Sequence, residues 1–332
     1  LQFAEFHYKR GQARAQLGRN DEALADAELA VSNGKGADYA GVLSRYEQFL
    51  IRRLRDVGQQ KRANEIQARQ LATFSGQNKG RLFFLNLNFL TAAIRNGDIN
   101  TAEAYAARNR ALMAEGRRWH GLPVYGSSWL ANVEDGNARV AEARGLYAEA
   151  EASFRKAASA YAETIKYLPQ WESKPAEGEY ERATDWSLAL EGRAKVKQGR
   201  VGEGEADVRR ALLSRLSKSG KYHVDTAGVL GVLVYVLQEQ GRYQEAEQLQ
   251  RQVIEIYAGL GYSAESGTMV GAQSFLAQLF NLQRRYDEAS KLYDQIDVWT
   301  AKWEPSRREA MSGGLARISV MLIQGNATNV LE

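Results

Sequence analysis

Small and apolar residues recur along this chain at the three-and-four spacing that puts one stripe on each helix, with charged residues filling the opposite faces. The stretch GRYQEAEQLQRQVIEIYAGLG, residues 241–261, opens on a Gly-Arg-Tyr turn, runs as one such helix and closes on glycine. Similar stretches begin at Leu17 (LGRNDEALADAELAV), Arg144 (RGLYAEAEASFRKAASAY) and Arg284 (RRYDEASKLYDQI). The stretch is therefore one copy of a unit, and the unit is a pair of helices joined by a turn.

Taking the turn residue as a landmark gives Gly18, Gly58, Gly97, Gly145, Gly199, Gly241, Arg284 and Gly325, spaced 39 to 54 residues apart. Five positions after the landmark stand Ala23, Ala63, Ala102, Ala150, Ala246 and Ala289, and after Gly199 stands Gly204. A residue in the first turn of the second helix faces the first helix, so a small side chain there lets two backbones approach. Gly11 and Gly192, seven before their landmarks, meet the same demand, and Ala157 and Ala211, twelve after theirs, lie on the next contact face. Tyr147, Tyr243 and Tyr286, two after theirs, are placed to wedge the turn. The pattern predicts helix pairs over about 1–32, 38–74, 80–115, 125–168, 178–218, 223–259 and 266–301, and a lone helix over 305–324. Two connections look irregular, Arg117–Ser128 and Leu168–Glu179; both mix Pro, Gly and Trp, and Trp119, Trp129 and Trp171 are expected to pin them down.

The run from Gly145 to Ala157 and that from Gly241 to Asp297 resemble the tetratricopeptide repeat, with its Gly-x-Tyr-x-x-Ala turn followed by an aromatic residue and alanine. The resemblance is weakest at Gly58, where Gln60 stands in place of tyrosine. A spacing near 42 exceeds the roughly 34-residue standard and resembles the longer repeats of kinesin light chains. The resemblance implies an all-α, right-handed α-α superhelix of about seven helix pairs plus a terminal helix, forming a single solenoid over 1–332.

Composition agrees with this. The chain of 332 residues is 44% hydrophobic and 25% charged with only four prolines, which suits a folded helical protein. Its densest apolar runs, RLFFLNLNFLTAAI from Arg81 and VLGVLVYVLQ from Val229, fall short of the roughly 20 residues that span a membrane, so both are expected to be buried helices of a soluble protein. A net charge of +4, dispersed along the chain, argues against nucleic acid. The absence of cysteine fits either cytoplasm or periplasm. QGNATNVLE at the C-terminus looks like the opening of another unit's second helix cut short, and the chain like a fragment or a processed chain.

Catalytic chemistry finds little support. Ser153–Lys156 (SFRK) with Lys218–Gly220 (KSG) imitates the boxes of serine acyl-transferring enzymes, but those need a sheet to unite them and Ser153 sits in a repeat helix. His7, His120 and His223 lack the companions of a metal site, and VGEGEA from Val201 lacks the third glycine and preceding strand of a dinucleotide loop. No catalytic residue, metal or cofactor is assigned.

Recognition is better supported. In tetratricopeptide-type arrays the first helices line the concave groove, and the residue six before the landmark points into it. Those residues are Gln12, Arg52, Thr91, Arg139, Arg193, Tyr235, Gln278 and Ser319. Arg45, Gln48, Arg55 and Lys197 add to the same face, and Trp186 is a candidate anchor. Arginine presents a planar fork of donors suited to carboxylates, so this groove is expected to take an acidic peptide or protein. Residues 42–67, 80–116 and 241–257 also resemble the N-terminal repeat region of bacterial proteins that carry a CHAT domain, a caspase-like cysteine peptidase. That resemblance implies a regulatory or substrate-capture arm, with the catalytic His and Cys lying beyond Glu332.

If Ser153 is an ordinary helix residue, a serine-reactive probe leaves it unmodified by mass spectrometry, and Ser153→Ala changes no hydrolysis of ester or peptide substrates. Acylation at Ser153 would contradict this.

Overall fold

A computed structural model describes residues 1–17, 19–36, 42–74, 79–95, 97–171, 175, 178–311, 314–323 and 325. Among the described residues the chain is all α-helical, with no strand and one 3-10 turn at Leu168–Gln170. The helices alternate as first and second members of pairs: α1 (Gln2–Gln16) with α2 (Asn20–Asn33), α3 (Ser44–Asp56) with α4 (Gln60–Phe74), and α5 (Lys79–Arg95) with α6 (Ile99–Gly116). There follow α7 (Leu122–Ala143) with α8 (Tyr147–Ile165), α9 (Glu179–Lys197) with α10 (Val201–Ser219), α11 (Val224–Glu239) with α12 (Tyr243–Gly259), and α13 (Gly267–Leu282) with α14 (Tyr286–Trp299). Where a single helix is predicted over 305–324, the chain forms α15 (Pro305–Met311) and α16 (Gly314–Ile323). No helix among the described residues is long and apolar enough to cross a membrane.

The chain divides into two compact units, one of Leu1–Arg69 with Lys221–Glu332 and one of Gln70–Gly220. In the second unit α5 to α10 pack in succession, each on the next. In the first unit α1, α2 and α3 pack in succession, as do α11 to α14, and α16 rests on α13 and α14 with Val320 buried.

Each turn is built the same way. Gly145 and Gly241 adopt φ of 75° and 74°, the left-handed region that glycine enters without a Cβ penalty. The next amide then reaches back to close the first helix: Leu146 donates to the Ala141 carbonyl at 2.8 Å and Arg242 to that of Leu237 at 3.0 Å. Arg284 holds the equivalent place with φ of 60° and, among the described residues, is the non-glycine with positive φ. Gly18 and residues 326–332, which include most of the C-terminal stretch singled out above, lie outside the described residues, as do parts of the Leu168–Glu179 connection.

The demand for a small residue is met without exception where it is seen. Ala23, Ala63, Ala102, Ala150, Ala246 and Ala289 are fully buried. A Cβ on Gly204 would lie 2.4 Å from the Gly192 carbonyl oxygen, and one on Gly192 would lie 2.7 Å from that of Gly204. Gly11 is likewise closed in by Phe49 at 2.9 Å and Asp26 at 3.0 Å.

The Arg117–Ser128 stretch is more regular than predicted, because Pro123 falls in the first turn of α7, where its missing N–H costs nothing. Trp129 is buried there, stacked on Phe83 and edge-on to Trp119. Trp171 fixes the later connection, donating from Nε1 to the Val124 carbonyl and packing on Tyr125 and Tyr180.

Ala246→Leu should overpack the α11–α12 contact and cost about 1–3 kcal/mol. Gly204→Ala should also lower the melting temperature, because its clash is with backbone. Unchanged thermal melts for both variants would refute this packing.

Candidate binding surface

The predicted recognition residues all lie on first helices: Arg45, Gln48, Arg52 and Arg55 on α3, Arg139 on α7, Trp186, Arg193 and Lys197 on α9, Tyr235 on α11 and Gln278 on α13. Their surroundings differ. Gln48 is buried, Arg52 is exposed, and Trp186, Lys197, Tyr235 and Gln278 are half-buried.

Several of the arginines are engaged by the chain's own acids. Arg193 grips Glu142 with two hydrogen bonds, 2.8 and 2.6 Å, tying α9 to α7. Arg139 grips the buried Asp135 one turn earlier on α7, at 2.9 and 3.2 Å. Burial works against the Arg139 charge, but Asp135 outweighs it, with a smaller contribution from Glu142, and holds the guanidinium above its ordinary range. Two of the three arginines of the row are thus brought together as a charge-balanced cluster with Asp135 and Glu142. Arg45 pairs with Glu5 at 2.7 Å and lies over the rings of Tyr8 and Tyr46. Arg55 donates to Gln67 at 2.6 Å.

Ser153 and Lys156 lie together on α8, while Lys218 on α10 pairs with Asp185 at 3.5 Å. Among the described residues no three His, Asp or Glu side chains are grouped to hold a metal ion.

The sequence reading missed a recurring carboxylate six residues after the landmark. Glu247 accepts from Gln283 at 2.8 Å and Arg285 at 2.6 Å, the residues flanking the next landmark. Glu151 receives Gln198 at 2.8 Å and Arg200 in the same way, and Glu103 receives Arg144. The signal was present as Gln-Gly-Arg at 198–200 and Gln-Arg-Arg at 283–285, each preceded by glutamate at the matching offset.

Residues 4–33 and 186–258 match family models described as tetratricopeptide repeat. Tetratricopeptide repeats are present. No curated protein matches the chain. Among solved structures it is similar to a Rap protein complexed with competence and sporulation factor, at 12% identity and a TM-score of 0.58, over 98% of this chain and 88% of that one. It is also similar to a putative kinesin light chain with nearly identical TPR-like repeats from Podosopora anserina, at 19% identity and a TM-score of 0.45, over 68% and 97%. BtubC from P. vanneervenii gives 14% identity and a TM-score of 0.47, over 69% and 86%. The Rap protein shares the fold across nearly the whole chain.

Within the first tetratricopeptide match, Asp26 is fully buried on α2 and receives Arg10 at 2.6 Å, Arg14 at 2.7 Å and His7 at 3.1 Å. Burial alone would raise its pKa, but the hydrogen bonds from Arg10, His7 and Arg14 overcome this and bring it from 3.8 down to about 2. Glu151 and Glu247 are also lowered: burial opposes their ionisation, and the amide of Gln198 or Gln283 with the neighbouring arginines prevails.

A carboxylate with a depressed folded-state pKa stabilises the fold above its unfolded value, and that stability is lost as pH falls through the folded value. Asp26 alone should account for about 2 kcal/mol, lost between about pH 4 and pH 2. Asp26→Asn should flatten the pH dependence of chemical denaturation in that window while lowering stability at neutral pH. An unaltered slope would show that Asp26 is not held as described.

Proposed function

We propose that the chain is a non-catalytic scaffold that binds a peptide or protein domain through the side chains of its first helices. The observation that carries this reading is that accessible residues hold recurring register places on first helices within each unit: Arg52, Tyr235 and Gln278 on α3, α11 and α13 of the one, and, separately, Trp186, Arg193 and Lys197 on α9 of the other. The small residues five after each landmark recur on the second helices, whereas these outward first-helix side chains differ from pair to pair. The Rap protein of the same fold is complexed with competence and sporulation factor, which supports ligand binding by an array of this fold.

An acidic partner remains the favoured chemistry, with protein rather than nucleic acid as the ligand. Because Arg193 already holds Glu142 and Arg139 holds Asp135, such a partner must exchange its carboxylate for an internal one, which trims the gain from each arginine. Charge reversal at Arg139 would set a second carboxylate against buried Asp135 and so is not a neutral probe of binding. The likeness of residues 42–67, 80–116 and 241–257 to CHAT-associated repeats supports a role as the regulatory or capture arm of a cysteine peptidase. Sequencing of the complete gene tests that assignment, which fails if no peptidase domain is encoded with the repeats.

Photo-crosslinking amino acids at positions 52, 186 and 193 should give polypeptide adducts in lysate, identified by mass spectrometry. The same groups at Lys156 and Arg209 on second helices should give none. Adducts only from the second helices would overturn the assignment of the surface.

A further inference from the structure

In a repeat array each unit packs on its sequence neighbours, so a contact between distant repeats needs its own explanation. The first compact unit contains one. The α3–α4 turn meets the segment that follows α14, and Lys61 and Glu304, joined by a hydrogen bond there, are 243 residues apart in sequence.

Gly58, at φ of 81°, lies directly under the Trp303 ring: an added Cβ would fall 2.4 Å from Trp303 Cγ. Trp303 is buried. Glu304 Oε2 accepts the backbone N–H of Lys61 at 2.7 Å, so a carboxylate caps the positive end of α4 from outside its own repeat. Beside them Gly267, the first residue of α13, stands against the backbone of α3: a Cβ there would be 3.5 Å from the Arg55 carbonyl oxygen and from Asp56 Cα. Burial lowers the pKa of the Arg307 guanidinium here, and the opposite charge of Asp56 only partly offsets it. The Gly58 turn, where Gln60 stands in the place that tyrosine takes at three other turns, is thus covered by a tryptophan from another repeat.

The two sides of this contact have separate cores. One is built from residues between Ala4 and Ile66, around Tyr46, Phe49 and Leu54; the other lies between Val270 and Val320, around Phe280, Tyr293 and Trp303. A ring on a glycine, a capping carboxylate and a helix end against backbone are among the contacts that join them.

We propose that the contact of Gly58 and Lys61 with Trp303 and Glu304 is a releasable latch, whose opening separates the α1–α4 segment from the α11–α16 segment while both stay folded. This does not depend on what the scaffold binds.

The chain has no cysteine, so spin labels at Glu65→Cys and Ala301→Cys report on the latch alone. Pulsed electron resonance should give one narrow distance in the otherwise unaltered protein. Trp303→Ala and Glu304→Ala should each lengthen and broaden it with helix content by circular dichroism retained. In Glu304→Ala the Lys61 amide should exchange with deuterium about tenfold faster, the loss expected for a charge-assisted hydrogen bond. A broad distribution before any latch substitution, or an unchanged distance in Glu304→Ala, would overturn the proposal. Loss of helix in Trp303→Ala together with an unchanged Glu304→Ala would assign Trp303 to its own core and overturn it equally.

Discussion

The closeness of the two helices within each pair governs everything else in this fold. A left-handed residue turns the chain, and five residues later a side chain no larger than a methyl group meets the first helix. At Gly192 and Gly204 even a methyl is too large, because backbone faces backbone. Close packing over so short a span fixes the angle between the helices and leaves little for the remaining side chains to decide.

Charge then sets how one pair sits on the next within a unit. Glu103, Glu151 and Glu247 stand one residue beyond the small position and reach the residues flanking the following turn. Their partners arrive from a helix already placed by the turn, so geometry is set before the ion pair forms. That order explains why the partly buried Glu151 and Glu247 stay ionised: each is met by an amide and two guanidiniums that need no further ordering.

The turns and packing alanines were legible because their cause is steric, local and repeated; a glycine followed at a fixed distance by alanine has the same meaning at every copy. The first helices were legible as helices, but the state of each side chain on them was not. The bond of Arg139 to Asp135 spans four residues on one helix and was within reach of sequence reasoning, whereas that of Arg193 to Glu142 crosses 51 residues and depends on how α9 lies on α7. Gln48 is buried although its register placed it with Arg45 and Arg52; rotation by one residue, about 100°, is enough to turn a helix position from surface to interior. Trp303 over Gly58 carries no periodic signal at all, since it joins repeats that are not neighbours.

In the proposed function, accessible side chains of the first helices recognise a polypeptide while the turns and second helices hold the frame. Hydroxyl-radical footprinting of the protein with and without a crosslinked or captured partner tests it most directly, because half-buried aromatic residues stand on both kinds of surface. Trp186 and Tyr235 should lose reactivity in the complex, while Tyr147, Tyr243 and Tyr286 at the turns keep theirs. Protection confined to the turn tyrosines, with Trp186 and Tyr235 unchanged, would contradict the claim.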